Sequence, residues 1–391
     1  MIPMISRILL ATGFSLAVAA AAALLPVRVA AQAPAACGTP AAGADAWAIA
    51  AQPSAGLDPK RLCALVDWLD GQRDGNVHGV LVARRGTLVF EHYRTGADER
   101  WARPLGEVAF GPNVKHDMRS ISKSVVSLLV GIAIDRKLIP GPDAPVFGFF
   151  PEYAELRTAE KERILVRHLL SMSAGLAWNE TIPYTNPANS EVRMIFAADP
   201  YRFVLEQPVA AAPGETFNYS GGATALLGRI VEKASGKPLE AFAREALFEP
   251  LGIGDLEWVT MPNGAPAAAS GLRLRPRDLA KLGHLLLARG QWNGRQVVPA
   301  AWIEASTAAH IEAIDFLFYG YQWWLGRSLI ERREVAWVAG LGLGGQRLFV
   351  VPALDLVVVI TAGYYTSPAQ RWVPWSIFRH YVVAAIREPP R

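Results

Sequence analysis

At 391 residues the chain is too long for a single ordinary core and, at about 150 residues per domain, points to two or three domain-sized units. Its 51% hydrophobic and 19% charged content belongs to a well-packed globular protein and excludes a disordered one. The net charge of +4 counts Arg7 and Arg28 of a leader, and no lysine/arginine run follows, which excludes a surface that tracks nucleic-acid phosphates.

Residues 1–31 read as a signal peptide: Arg7 gives the positive start, residues 8–25 the apolar stretch, and Val29-Ala30-Ala31 the small-residue cleavage pattern. A membrane anchor is the alternative, but Pro26, Arg28 and the small residues after the stretch favour cleavage near Ala31. No later segment reaches the roughly 20 apolar residues of a spanning helix, so no stable membrane span is expected in the mature, periplasmic or secreted protein. Residues 32–55, rich in alanine and proline, form a loose lead-in. Cys37 and Cys63 are the only cysteines, and three readings stay open: a disulfide tying the lead-in to the first helix, lipid attachment at Cys37, or two free thiols.

Asp58-Pro59 opens a helix running to about Gln72 and burying Leu62, Leu65 and Leu69. VHGVLVARRGTLVFEHYRTG reads as an antiparallel hairpin turning at Arg85-Gly86. An apolar helix then starts at Ser120. From about 140 to 260 the pattern is proline-punctuated and mostly helical, and two more helices follow Ala269. Strands return in YGYQWWLG, EVAWVAG, QRLFVVP and LDLVVVITAG, and WVPWSIFRHYVVAAIRE closes the chain as a helix. Strand patterns at both ends and helices between them predict an α+β fold. One antiparallel sheet, from 56–125 and 265–391, is flanked by helices and carries an inserted all-helical lobe, 126–264.

Chemistry gathers in three places. Ser120-Ile121-Ser122-Lys123 puts a hydroxyl and an amine on one face of a helix start, where a base activates an otherwise poor nucleophile. One S-x-x-K arises about once by chance in a chain this long, so the motif requires corroboration. PGETFNYSGG sets Tyr219 between two turns before a helix. A nearby lysine cation would lower its phenol and make it a proton shuttle. AGLGLGGQRLFVV resembles a nucleotide loop in spelling, but a strand and not a helix follows, which excludes that use. Glycines opening an edge strand instead let a substrate approach, with Gly342 and Gly344 as substrate contacts and the Leu343 and Ser120 N–H groups as the oxyanion donors. Trp178, Glu180 and Tyr184 follow HLLSMSAGL in a loop expected to line the cleft, with Trp178 and Tyr184 contacting substrate. Trp323 and Trp324 read as packing, and His168 as a helix histidine with a local bond. No G-x-S-x-G and no H-x-x-x-H pair occurs, so neither an α/β-hydrolase elbow nor a metal site is expected, and no cofactor is implied.

Together S-I-S-K, HLLSMSAGL, PGETFNYSGG, ASGLRLRPRDLAKLGHLLLARGQWNG, YGYQWW and GLGGQRLFVVPALDLVVV resemble, in order and over about residues 55–385, the serine β-lactamase-like superfamily. Within it the resemblance is to class C β-lactamases, family VIII-type esterases and 6-aminohexanoate-dimer hydrolases. It implies Ser120 as the acylated nucleophile, Lys123 as its base partner and Tyr219 as the second proton-transfer residue. Gly340-Leu341-Gly342 falls where β-lactamases carry Lys-Thr-Gly, and Gly221 falls where they carry an asparagine after the tyrosine. Both departures weaken β-lactam recognition. The expectation is therefore an exported serine hydrolase of small ester or non-peptide amide substrates, with no protein partner implied. The alternatives are a β-lactamase, a D-stereospecific peptidase, and a penicillin- or peptidoglycan-binding protein that acylates without turnover.

Overall fold

Asp58 accepts a hydrogen bond from the Lys60 N–H and starts α1, Pro59–Gly71, which buries Leu62, Leu65 and Leu69 as the pattern predicts. The computed structural model describes residues 37–387 except 44, 46, 73, 74 and 331; the leader and residues 32–36 lie outside the described residues. Of the three readings of the cysteines, the disulfide holds: Cys37 joins Cys63 on α1, with Cα atoms 5.1 Å apart.

After the short β1, Ala48–Ile49, strands β2, Val77–Arg84, and β3, Thr87–Tyr93, pair antiparallel. Their two-residue turn takes positive φ at Arg85 (52°) and Gly86 (75°), the twist that matches a tight hairpin. A second hairpin was not apparent in the sequence: β4, Thr95–Arg100, and β5, Arg103–Ala109, turn at Trp101 and Ala102, both also at positive φ. TGADERWARPLGEVA has neither β-branched alternation nor a turn glycine, and most of β5 is exposed, so no apolar pattern marks it.

The main sheet has nine strands. β1 forms a parallel edge against β3; then come β2, Leu356–Ala362, Gln346–Val351, Arg333–Gly342, Trp324–Ile330, Phe318–Tyr319 and Ile311–Glu312, all antiparallel. The expected α+β architecture is what the chain adopts. Alternation along Gln346–Val351 sorts the layers. Leu348 meets the helix Pro276–Leu287, where a side chain at Gly283 would strike Val357 at 2.5 Å and Leu348 at 2.9 Å. Phe349, facing the other way, stacks on Phe378 and Trp375 of the C-terminal helical segment, with centroids 4.2 and 4.8 Å away. Helices therefore cover both faces, which is why these strands read as unbroken apolar runs.

Helix α2, Ile121–Asp135, is buried from Ile121 through Ala133 on every side. A helix apolar all round belongs at the centre of a large protein, and this one sits on the Leu348 side of the sheet. The missing side chain of Gly340 admits Ile121 (3.1 Å from where a Cβ would be), and that of Gly342 admits the Met118 carbonyl (2.5 Å). Against α2 packs α6, Gly221–Ser235, and α6 in turn carries α3, Val166–Leu170, α4, Ser190–Phe196, and α5, Pro200–Glu206. HLLSMSAGL carries only the end of the five-residue α3: Met172 (φ 56°) and Gly175 (φ 75°) turn the chain into a loop.

Candidate active site

The strand ending at Gly342 brings α2 into place, and the turn before α2 presents Ser120. Arg119 holds a left-handed φ of 49°, a strained conformation for any residue with a Cβ, so its surroundings must fix it. They do: its guanidinium pairs with Glu99 and with Asp117 (3.2 Å) and lies over the Tyr365 ring at 4.8 Å. Asp117 is itself held by the Trp101 N–H (2.6 Å) and by Arg273 (3.2 Å). Inside the turn, the Ser122 hydroxyl donates to the Arg119 carbonyl (2.7 Å) and accepts from the Leu272 N–H (3.1 Å). Ser120 follows at the helix start, and its own hydroxyl makes no capping bond there.

That hydroxyl faces two groups. Lys123 Nζ, buried one turn further along, donates to Ser120 Oγ at 3.2 Å and to the Ala269 carbonyl at 3.1 Å. The Tyr219 side chain enters from the loop before α6, and Lys123 Nζ stands 4.9 Å from its ring centroid. Hydroxyl, amine and phenol, drawn from two distant segments, thus converge. Burial and the Glu180 carboxylate hold the phenol well above its usual range, although the neighbouring Ser120 works the other way. The expected lowering by the lysine cation does not win, and the ring enters as a neutral phenol. Trp324, read from sequence as packing, stacks on Tyr219 (centroids 5.8 Å apart) and fixes its plane. Trp323 is core.

The loop after α3 turns inward as an acid pair. Glu180 accepts from Trp178 Nε1 (2.7 Å), the Tyr184 hydroxyl (2.8 Å) and the Gly221 N–H (2.6 Å). Trp178 is buried against Gly222 and Phe203, so its indole serves Glu180, while Tyr184 stays partly exposed. Glu191, on α4 and almost fully buried, hydrogen-bonds Glu180 and accepts from Ser270 (3.3 Å). Burial and the neighbouring Glu180 carboxylate push its carboxyl up to about 8, against the pull of Lys123. Sequence reasoning missed Glu191, because a glutamate in the first turn of a helix is ordinary dipole pairing. A hint lay in Gly221, where a Cβ would fall 2.6 Å from the Glu191 carboxyl.

The glycine-rich turn corrects one expectation: the strand it opens, Gln346–Val351, is interior, flanked by Arg333–Gly342 and Leu356–Ala362, and not an edge. Leu343 follows directly on Gly342, whose missing side chain lets the chain pass close over the Met118 carbonyl, two residues before Ser120. The Leu343 carbonyl accepts from the buried Gln346 side chain (3.2 Å), which also bonds both ways to Ala362 across the sheet and so pins the turn. Gly344 sits under Tyr365 at φ 85°, and its N–H donates to Gln370 (3.0 Å), so this amide is already engaged within the protein. His168 accepts the Leu165 N–H (3.2 Å), the local bond expected of it.

A family profile described as "Beta-lactamase" matches residues 65–371. The 6-aminohexanoate-dimer hydrolase of Paenarthrobacter ureafaciens is 28% identical over 315 residues, covering 75% of this chain and 74% of its own. Esterase EstB of Burkholderia gladioli is 28% identical over 216 residues, covering 52% and 53%. The solved structure of a Bacillus anthracis protein proposed to be a 6-aminohexanoate-dimer hydrolase superposes with a TM-score of 0.66 at 22% identity over 84% of this chain and 85% of that one, a likeness of fold.

Proposed function

Since the chain belongs to the beta-lactamase family and is a serine hydrolase, we propose that it cleaves small esters or non-peptide amides through an acyl-enzyme on Ser120. The observation that carries this is the Ser120 hydroxyl at 3.2 Å from Lys123 Nζ, an amine that itself lies over the Tyr219 ring. Lys123, as the free amine, accepts the Ser120 proton while Oγ attacks the acyl carbon. The Ser120 and Leu343 N–H groups hold the oxyanion. The neutral Tyr219 phenol donates to the leaving oxygen or nitrogen and is reprotonated from the Lys123 ammonium. Water then attacks the acyl ester along the reverse proton path, which releases the acid and restores Ser120.

The surroundings bear on the substrate class. A β-lactam carries a carboxylate, and the sequence has Gly340 where a lysine would meet it and Gly221 where an amide would. The space beside Gly221 holds the Glu191 carboxyl. The Glu180 carboxylate beside Tyr219 disfavours an anionic group there and suits a neutral ester or a non-peptide amide. The leader pattern of residues 1–31 and the Cys37–Cys63 disulfide support export to an oxidising compartment. Among the described residues no helix is long and apolar enough to cross a membrane.

The test is turnover of p-nitrophenyl acetate and butyrate with mass spectrometry of the intact protein. Wild type is expected to hydrolyse them and to show a transient acyl mass on Ser120. Ser120→Ala is expected to do neither, and turnover by that variant at the wild-type rate would overturn the reading.

A further inference from the structure

On the far side of Asp117 from Arg119, three buried side chains meet from separate strands: His78 on β2, Asp98 on β4, and His116 on the short β6, His116–Asp117. Their hydrogen bonds fix which ring nitrogens carry protons. The Asn76 amide donates through Nδ2 to the Ala97 carbonyl (2.8 Å), so its Oδ1 can only accept from His78 Nε2, 2.8 Å away. His116 Nδ1 faces the Asp117 carbonyl at 3.1 Å, another pure acceptor. His78 Nδ1 and His116 Nε2 are left as the two lone-pair nitrogens, and they face each other at 2.9 Å. Two lone pairs at that distance repel unless a positive centre lies between them.

The surroundings say which positive centre suits. Both rings are buried, which disfavours a free charge on either of them. A carboxylate oxygen of Asp98 completes the group, with one ligand atom from each residue all within 4.8 Å of one another. Asp98 Oδ1 lies 3.5 Å from His116 Nε2 and accepts from the Tyr365 hydroxyl (2.7 Å), while its buried Oδ2 has no hydrogen-bond partner. Each imidazole gives its second nitrogen to an oxygen and the carboxylate is itself hydrogen-bonded, which is the outer arrangement that orients metal ligands.

We propose that His78 Nδ1, His116 Nε2 and the Asp98 carboxylate bind one divalent transition-metal ion, with zinc the best match. Two imidazoles and a carboxylate form a recurrent zinc donor set, and three protein ligands leave one position for water. Metal–nitrogen bonds of about 2.0–2.1 Å in a tetrahedral site place the nitrogens roughly 3.3 Å apart, so the rings need part by only a few tenths of an ångström. The ligands come from three strands with no local spacing motif, which is why the sequence points to no metal. His116 stands four residues before Ser120 and next to the aspartate that pairs with Arg119. The ion would tie the 95–109 hairpin to the turn that presents the nucleophile.

The experiment uses the mature, untagged protein, stripped with a chelator and then dialysed against zinc or cobalt(II). Expected are about one metal per chain by elemental analysis, cobalt d–d bands of a four-coordinate nitrogen–oxygen site, and binding weakened roughly tenfold or more in Asp98→Asn. Asn keeps the shape and an acceptor for Tyr365, and circular dichroism checks its fold. Should that variant not fold, nitrogen-15 NMR of wild type decides: metal must shift His78 Nδ1 and His116 Nε2 and no other histidine. The proposal is overturned if stripped wild type takes up no stoichiometric metal, if His116 is found as an imidazolium paired with Asp98, or if Asp98→Asn binds as tightly as wild type.

Discussion

Glu191→Gln tests the electrostatics around the nucleophile with one change of charge and almost none of shape. The Glu191 carboxyl is pushed from an ordinary 4.5 up to about 8 by burial and by Glu180. For an acid raised on folding, the stabilising contribution of the protonated form is fully present below about 4.5. It is lost as pH rises and levels off once pH passes about 8. The lost stability is about 1 kcal/mol at pH 5, about 3 at pH 7 and approaches about 5 above pH 9. Glutamine keeps the acceptor for Ser270 and gives Glu180 an N–H in place of the O–H, so the variant escapes this loss. Urea unfolding of both proteins at pH 5, 7 and 9 should show a gap opening in favour of Glu191→Gln, worth roughly 4 °C of melting temperature at pH 7 for a chain of this size. Parallel pH profiles, or a variant less stable at pH 9, would refute the reasoning, because they would mean that Glu191 is a buried anion paired with Lys123.

Tyr219→Phe keeps the ring on Trp324 and removes only the hydroxyl; kcat for an alkyl ester or amide, whose leaving group needs a proton, should fall about a hundredfold with the melting point unchanged, measured by steady-state turnover and calorimetry. Replacing both cysteines by serine releases a constraint spanning 26 positions. By loop entropy it should cost about 3.5 kcal/mol, read from urea midpoints, and dithiothreitol should lower wild type to the same level.

What the sequence made legible was what local pattern encodes. The Asp58 cap, the Arg85-Gly86 hairpin, the strands of the C-terminal third and the S-x-x-K helix all have their causes within a few residues. Ser120, Lys123 and Tyr219 could be singled out because each sits in a motif. The rest depended on distance. Glu191 matters through a carboxylate brought by another loop, Trp324 through stacking on a ring far away in the chain, and Arg119 through a strain that only the folded ion pairs reveal. The state of Tyr219 was misjudged for the same reason. A nearby cation was visible in the motif, whereas the burial and the acid that outweigh it were not.

Gly221 and Gly340 mark how far this chain stands from a β-lactamase, and their neighbours explain why single reversions would not bridge the gap. A side chain at 340 would press on Ile121 at 3.1 Å, and one at 221 would meet the Glu191 carboxyl at 2.6 Å, where Glu180 and Ser270 also hold that carboxyl. The glycine and the glutamate are therefore one feature. Gly221→Asn alone should destabilise by roughly 1–3 kcal/mol through overpacking, while Glu191→Ala opens the space that the amide needs. Combined, the two changes should recover at least about 1 kcal/mol relative to the sum of their separate effects, the coupling expected of residues in contact. Urea unfolding of the four proteins measures this directly, with nitrocefin turnover followed in parallel. Simple additivity would show that the carboxyl does not occupy the space beside Gly221, and the steric explanation for the missing asparagine would fail.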